Sequence, residues 1–253
     1  MANLVEFIGA SGIGKSHLRA KLLHARHNTH IMSFERAATL STQNRSLLKE
    51  LLFNTPESIH NRNWFNQLMG IRGEHVESFY RDNAVGNTTA HLYTKTLDFS
   101  LQYLFNSERP LDMKLRILNY LKHLLYKHYL IKTKFSLEQS VLMDEGLVMN
   151  VRGLDQVAFS QVPYIVELMP QFVIHCVAPT AIAIPRYLSR ANAAGKKVTD
   201  NDAQNTFIIT SKRAEILSGK LAEIGVPIHK VDLSSSAEEL SSDILHALNL
   251  VFK

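Results

Sequence analysis

Ten consecutive residues near the start of the chain carry the clearest chemical signal. The segment Phe7 to Ser16 reads F-I-G-A-S-G-I-G-K-S and contains the pattern G-x-x-x-x-G-K-S. Gly9, Gly12 and Gly14 permit backbone conformations that turn successive N–H groups toward one anion. An apolar run from Leu4 to Ile8 precedes the pattern, and a helix-favouring stretch follows it. This context predicts a loop that binds a polyphosphate at the N-terminus of a helix.

Two side chains of this loop would have different roles in binding. Lys15 would place a mobile positive charge on the outer phosphates, and Ser16 would offer its hydroxyl to Mg²⁺. A glycine-rich turn without a ligand is the alternative, and it leaves Lys15 and Ser16 unexplained. We therefore predict that the nucleotide-binding residues include Gly9, Ala10, Ser11, Gly12, Ile13, Gly14, Lys15 and Ser16.

Two carboxylates end a later apolar run. Residues 142–145 read Leu-Met-Asp-Glu, and ligands of parallel α/β sheets bind beyond the carboxyl ends of the strands. Asp144 would hold Mg²⁺ directly or through water, while Glu145 would orient a nucleophile or accept its proton. Charged residues also end strands for no functional reason. Glu35, after the second predicted strand, is a rival for the role of base, so the division of roles stays open.

A pair of arginines four residues apart is the third candidate group. The spacing places Arg186 and Arg190 on one face of a helix, ahead of a polar run through Gly195, Lys196 and Lys197. We predict that residues 186–205 form a lid, in which the two arginines spread the charge of a transferring phosphoryl group. The alternative is a basic helix end followed by a loop.

The elements that must position these residues alternate along the chain. The pattern predicts strands at Leu4–Ile8, His30–Phe34, Ser140–Asp144, Phe172–Val177 and Pro227–Val231, and helices at His17–Arg26, Gln156–Met169 and Thr206–Ile224. Residues 36–135 have helical periodicity throughout, with Pro110 placed where a helix begins. Such alternation predicts the α/β class, with a parallel sheet and helices on both of its faces.

Composition sets broader limits. The chain has 253 residues and 45% hydrophobic content, which favours one domain over residues 1–253 with a helical insertion at 36–135. Its only cysteine, Cys176, excludes a disulfide framework and favours a reducing cytoplasm. We predict no signal peptide and no membrane helix. The net charge of +5 is modest and spread along the chain, so a nucleic-acid partner is not favoured.

The order of these motifs resembles that of the nucleoside and nucleoside-monophosphate kinase superfamily, particularly its thymidylate-kinase-like and deoxynucleoside-kinase-like members. The resemblance covers residues 1–35 and 138–253. It rests on the phosphate loop, the strand-terminal Asp144-Glu145, the segment Val177-Ala178-Pro179, the Arg186-x-x-x-Arg190 pair and the final Val231-Asp232-Leu233-Ser234.

The resemblance implies a three-layer P-loop NTPase fold with a five-stranded parallel sheet in the order 2-3-1-4-5. It implies that Arg186 and Arg190 are lid arginines and that the loop containing Asp232 lies near the adenine. It also implies a helical insertion that carries much of the acceptor specificity, and dimers are common in the family. The chain departs from thymidylate kinases after its third strand, where Asp144-Glu145-Gly146 stands in place of an Asp-Arg pair.

Together these features predict an ATP-dependent, Mg²⁺-requiring kinase that phosphorylates a small-molecule acceptor. Because of the departure after the third strand, the acceptor is open among a nucleoside, a nucleotide and a sugar-like hydroxyl compound. One alternative is a nucleotide-dependent ATPase or switch that acts on a protein partner. A weaker alternative is a polynucleotide-end kinase, which no base-stacking motif supports.

Overall fold

The computed structural model describes residues 3–24, 31–42, 79, 88–134 and 139–252. The chain forms two compact units. The helical unit is the described part of residues 32–141 and 150–169, and the loop unit is the described part of residues 3–31, 142–149 and 170–253. The glycine-rich loop, Asp144, Glu145, both arginines and Asp232 belong to the loop unit, whereas Glu35 belongs to the helical unit.

Five parallel strands form one sheet in the order β2-β3-β1-β4-β5. The strands are β1 (Asn3–Ile8), β2 (Ile31–Ser33), β3 (Ser140–Asp144), β4 (Phe172–Val177) and β5 (Ile228–Asp232). In the loop unit, Phe7 of β1 lies opposite Ile174 of β4, and Cys176 of β4 lies opposite Val231 of β5. The predicted α/β class and strand order are confirmed, and each predicted strand is present with small differences at its ends.

The helices alternate with these strands. In chain order, the described helices are α1 (Lys15–His24), α2 (Phe34–Ser41), α3 (Thr88–Phe105), α4 (Leu111–Lys134), α5 (Leu147–Asn150), α6 (Pro163–Val166), α7 (Thr180–Ala193), α8 (Asp200–Glu223) and α9 (Ala237–Val251). α4 begins directly after Pro110, as predicted. Much of the predicted insertion at 36–135 lies outside the described residues. Within the described part of the chain, no helix has the length and apolar content needed to span a membrane.

The predicted helix at Gln156–Met169 is wrong. The structure has a 3₁₀ turn at Phe159–Gln161 and then the separate four-residue helix α6. Val162, between them, has φ −130° and ψ 52°, because a residue before proline is pushed out of the helical region. Pro163 also has no N–H with which to continue the preceding turn.

Two other boundaries differ because side chains cap the helices. Phe34 was predicted to end β2 but begins α2, since the Oγ atom of Ser33 accepts a hydrogen bond from the N–H of Arg36. α8 begins at Asp200 rather than at Thr206. Thr199 and Asp202 form a capping box there, in which each side chain bonds the other residue's backbone N–H.

The core of the loop unit surrounds β1 and β4. Its buried side chains come from both strands, from β5, and from the inner faces of α1 and α9; they include Val5, Phe7, Leu18, Ile174, Val231 and Ile244. Burial of these apolar side chains is the main force that holds the elements together. It fixes the point where β1 ends and the glycine-rich loop begins.

Candidate nucleotide-binding site

The glycine-rich loop turns sharply between β1 and α1. Gly9 has φ +138° and Gly12 has φ +86°, in the region that side chains disfavour. A Cβ atom on Gly9 would lie 2.3 Å from the carbonyl oxygen of Cys176 on β4. The close approach of loop and strand therefore requires glycine at position 9. The loop leads directly into α1, which begins at Lys15, as the predicted phosphate site requires.

The ammonium group of Lys15 lies inside the loop. Its Nζ atom donates to the carbonyl oxygens of Gly9 at 3.0 Å and Ala10 at 2.6 Å. It also forms an ion pair of 2.9 Å with Oε1 of Glu145, and the Lys15 side chain is only 4% exposed. Because a buried cation needs a compensating charge, Glu145 stabilises Lys15 in this position. The predicted pairing of the loop with the carboxylates at the end of β3 is present.

Ser16 and Asp144 bring two hard oxygen donors together. The hydroxyl of Ser16 donates to Oδ2 of Asp144 across a separation of 128 residues in sequence. In the described part of the chain, no group of three His, Cys, Asp or Glu side chains could hold a metal by itself. Mg²⁺ that binds with a nucleotide takes one or two protein oxygens and completes its shell with phosphates and water. The Ser16 and Asp144 oxygens fit that requirement.

Both arginines of α7 contact the loop. Nη1 of Arg186 donates to the carbonyl oxygens of Ile13 at 2.9 Å and Leu233 at 3.4 Å. Nη2 of Arg190 donates to Oγ of Ser11 at 2.9 Å. The prediction that they share one helix face is therefore consistent with the structure, in which that face lies against the loop. Of the predicted lid, residues 186–193 belong to α7 and residues 200–205 to α8.

A cavity of about 470 Å³ lies beside the loop. Its lining includes Gly12, Ile13, His17, Arg186, Leu233 and Ser235. A volume of this size is within the range of sites for small organic ligands. Leu233 and Ser235, rather than Asp232, line it. The exposed carboxylate of Asp232 instead accepts a hydrogen bond of 2.9 Å from the N–H of Ser234, which shapes the turn after β5.

Glu35, the rival candidate base, lies in the first turn of α2 in the helical unit. It lies close enough to Lys127 of α4 to act on its pKa. Burial lowers the pKa of Lys127, and the negative charge of Glu35 opposes that effect. The catalytic role of Glu35 stays a prediction.

Glu6, a residue of the loop unit that sequence reasoning missed, is a fully buried carboxyl group in β1. Its Oε2 atom accepts from the N–H of Val148 at 3.1 Å, and its Oε1 atom accepts from the N–H of Met149 at 3.2 Å. Burial, aided by the negative charge of Glu145, raises the pKa of Glu6 to about 8 against the effect of these hydrogen bonds. The sequence feature that could have drawn attention to Glu6 is its position as the one acidic residue in the otherwise apolar run from Leu4 to Ile8.

No protein-family model matches this chain, and no curated protein is significantly similar to it. Its function is therefore inferred from the residues and geometry of the loop unit.

Proposed function

We propose that this protein is an ATP-dependent, Mg²⁺-requiring kinase that transfers the γ-phosphoryl group to a small-molecule acceptor with a free hydroxyl, such as a nucleoside, a nucleotide or a sugar-like compound. One observation carries the proposal: Lys15, Asp144, Glu145, Arg186 and Arg190 each contact the glycine-rich loop or the first turn of α1. The parallel sheet in the order 2-3-1-4-5 supports a three-layer P-loop NTPase fold as part of the same proposal.

The donor triphosphate would bind to the loop amides and to Lys15. Phosphate oxygens are charged acceptors, so they compete with the carbonyl oxygens of Gly9 and Ala10 for the ammonium group. They compete equally with the carboxylate of Glu145, which pairs with Lys15 at 2.9 Å. Donor binding would then release Glu145 from Lys15.

A released Glu145 is suited to accept a proton. It lies next to Asp144, which would hold Mg²⁺ together with Ser16. When bound, Mg²⁺ neutralises negative charge on the phosphates. The carboxylate of Glu145 would accept the proton of the acceptor hydroxyl as that oxygen bonds to the γ-phosphorus, while the bond from the γ-phosphorus to the bridging oxygen breaks and ADP leaves. Glu35 remains the alternative for this step.

The two arginines would stabilise the charge of the transferring group. Arg186 now donates to neutral carbonyl oxygens, and Arg190 donates to a neutral hydroxyl. A phosphoryl oxygen adds the attraction of an opposite charge to the guanidinium hydrogen bond, which a neutral carbonyl or hydroxyl oxygen does not supply. Replacing these neutral acceptors by phosphoryl oxygens therefore favours the state in which those oxygens carry the most negative charge. This is the basis of transition-state stabilisation.

The cavity beside the loop is suited to the base and ribose of the donor. It lies against Gly12 and Ile13 of the loop, so a triphosphate on the loop amides would extend from it. Leu233 provides an apolar wall for the base.

A product assay tests the proposal. The purified chain is incubated with Mg-ATP and pools of nucleosides, nucleoside monophosphates, sugars and short oligonucleotides, and mass spectrometry is used to find phosphorylated acceptors. We expect a phosphorylated small molecule with the unmodified chain and none with Lys15→Met, which keeps the length of the side chain but not its charge. Lys212→Met is the matched control, because Lys212 is an exposed lysine of α8 that lies outside both the loop and the predicted lid.

The same assay separates the alternatives. ATP consumption without a phosphorylated acceptor would contradict the kinase and support a nucleotide-dependent ATPase or switch. Phosphorylation confined to the oligonucleotides would support a polynucleotide-end kinase. Circular dichroism of Lys15→Met shows whether the fold is intact, so that lost activity can be assigned to the missing charge.

A further inference from the structure

Glu6 lies on β1, the middle strand of the sheet, with its side chain directed at the segment that follows β3. Its two carboxyl oxygens accept from the N–H groups of Val148 and Met149. The N–H of Gly146 also bonds to it. The carboxyl group therefore binds three backbone donors within residues 146–149.

Because Gly146 has no side chain, there is space beside it for this carboxyl group. A Cβ atom at position 146 would lie 2.6 Å from Oε2 of Glu6, closer than real Cβ contacts. Any other residue would push the carboxyl group away from the backbone donors. The hydrogen bonds of Glu6 to this segment therefore depend on glycine at position 146.

The segment held by Glu6 follows directly after the two carboxylates of the candidate site. Glu145 has φ +56°, a left-handed conformation that costs roughly 1–2 kcal/mol in a residue other than glycine. Such a conformation persists where the surroundings impose it. Glu6 anchors the amides on the far side of Glu145, and β3 holds Asp144 on the near side, so the backbone is held on both sides of this residue.

We propose that Glu6 is a positioning residue for the metal-binding and proton-accepting pair: by holding the backbone of residues 146–149, it keeps Asp144 against Ser16 and Glu145 against Lys15. This inference rests on the proposed function, since it takes Asp144 as the residue that holds Mg²⁺. A purely structural Glu6 would only satisfy backbone donors. Its loss would then lower stability without changing how Mg²⁺ assists nucleotide binding.

Three variants distinguish these roles. Glu6→Met removes both acceptor oxygens at similar volume, and Glu6→Gln keeps one of them. Val5→Ala is the matched control, because Val5 is a buried neighbour on the same strand and its side chain points to the opposite face. Isothermal titration calorimetry measures ATP affinity first with EDTA and then over a series of Mg²⁺ concentrations.

We expect the affinity for ATP in EDTA to stay within about twofold of the unmodified chain in all three variants. The Mg²⁺ concentration that gives half of the maximal gain in affinity should rise ~10-fold or more in Glu6→Met, as for other partners that orient metal ligands. A smaller rise is expected in Glu6→Gln and none in Val5→Ala. The partial rescue by glutamine is the result that a merely structural role does not predict.

An unchanged Mg²⁺ midpoint in Glu6→Met and Glu6→Gln, with stability lowered as in Val5→Ala, would overturn the positioning role. If Glu6→Met does not fold, Glu6→Gln decides the question alone. Failure of the unmodified chain to bind ATP in either condition would contradict the proposed function itself. Mg²⁺-assisted binding that is equal in the unmodified chain and the Glu6 variants would overturn only the present inference.

Discussion

Glu6 should make the free energy of unfolding depend on pH, and the substitution Glu6→Gln should remove that dependence. Burial raises the pKa of Glu6 from an ordinary value of 4.5 to about 8 in the folded chain. Between these two values the unfolded chain has lost the proton of Glu6, whereas the folded chain still holds it. Since the unfolded state binds fewer protons, the free energy of unfolding falls as pH rises through this window.

The size of the effect follows from the two pKa values. A difference of about 3.5 in pKa, at ~1.36 kcal/mol for each unit, corresponds to about 5 kcal/mol. The contribution is fully present below pH 4.5 and is lost by the time the pH exceeds about 8. A loss of about 5 kcal/mol is comparable to the whole stability of a marginal domain, so it is measurable.

Glu6→Gln isolates this contribution because glutamine has a similar shape and does not titrate. Urea unfolding is followed by circular dichroism at pH 5, 6, 7, 8 and 9 for the unmodified chain and the variant. Other groups, such as His128, whose pKa burial lowers to about 3, contribute equally to both chains and cancel in the difference. Glu239→Gln is the control, since Glu239 is an exposed carboxylate on α9.

We expect the stability of the unmodified chain relative to Glu6→Gln to decrease by several kcal/mol from pH 5 to pH 9. The decrease should approach ~1.4 kcal/mol per pH unit inside the window. The difference between the unmodified chain and Glu239→Gln should stay nearly constant. A Glu6→Gln chain with the same pH dependence as the unmodified chain would refute the reasoning, because it would show that Glu6 titrates alike in both states.

Two further predictions concern the contact of α7 with the loop. Gly12→Ala should weaken ATP binding strongly, because the new Cβ would lie 2.9 Å from Cβ of Tyr187. Gly225→Ala is the control, since Gly225 also has a positive φ, of +82°, but no atom within 4 Å of its missing Cβ. Calorimetry should show a large loss for the first and little change for the second, and equal losses would refute a steric cause. Arg190→Ala should lower kcat by ~10³ while the KM for ATP changes much less. An effect confined to KM would contradict a role in the transition state.

Much of the loop unit could be predicted from short stretches of sequence. The glycine pattern specifies the backbone path of residues 9–14, and the apolar runs specify β1, β3 and β4. Asp144 could be matched to Ser16 because parallel strands end at one edge of a sheet. Each of these inferences depends on a local pattern or on a general rule of sheet geometry.

The features that were missed depend on single residues or on distant partners. Pro163 interrupts an otherwise helical pattern, and the box of Thr199 and Asp202 starts α8 earlier than its apolar periodicity does. These two signals were present in the sequence. The role of Glu6 was not readable in the same way, because its partners Val148 and Met149 follow 142 and 143 residues later, and their N–H groups carry no mark in the sequence.

The contacts of the loop suggest how the proposed reaction limits wasteful chemistry. Lys15, Arg186 and Arg190 all donate to protein acceptors, and of the acceptors named above only Glu145 is charged. A triphosphate would replace the neutral acceptors with charged ones and would displace the one carboxylate. Glu145 becomes available to accept a proton only after that displacement. Donor binding would therefore precede activation of the acceptor hydroxyl, so that the base is released from Lys15 only when a phosphoryl group is in place to be attacked.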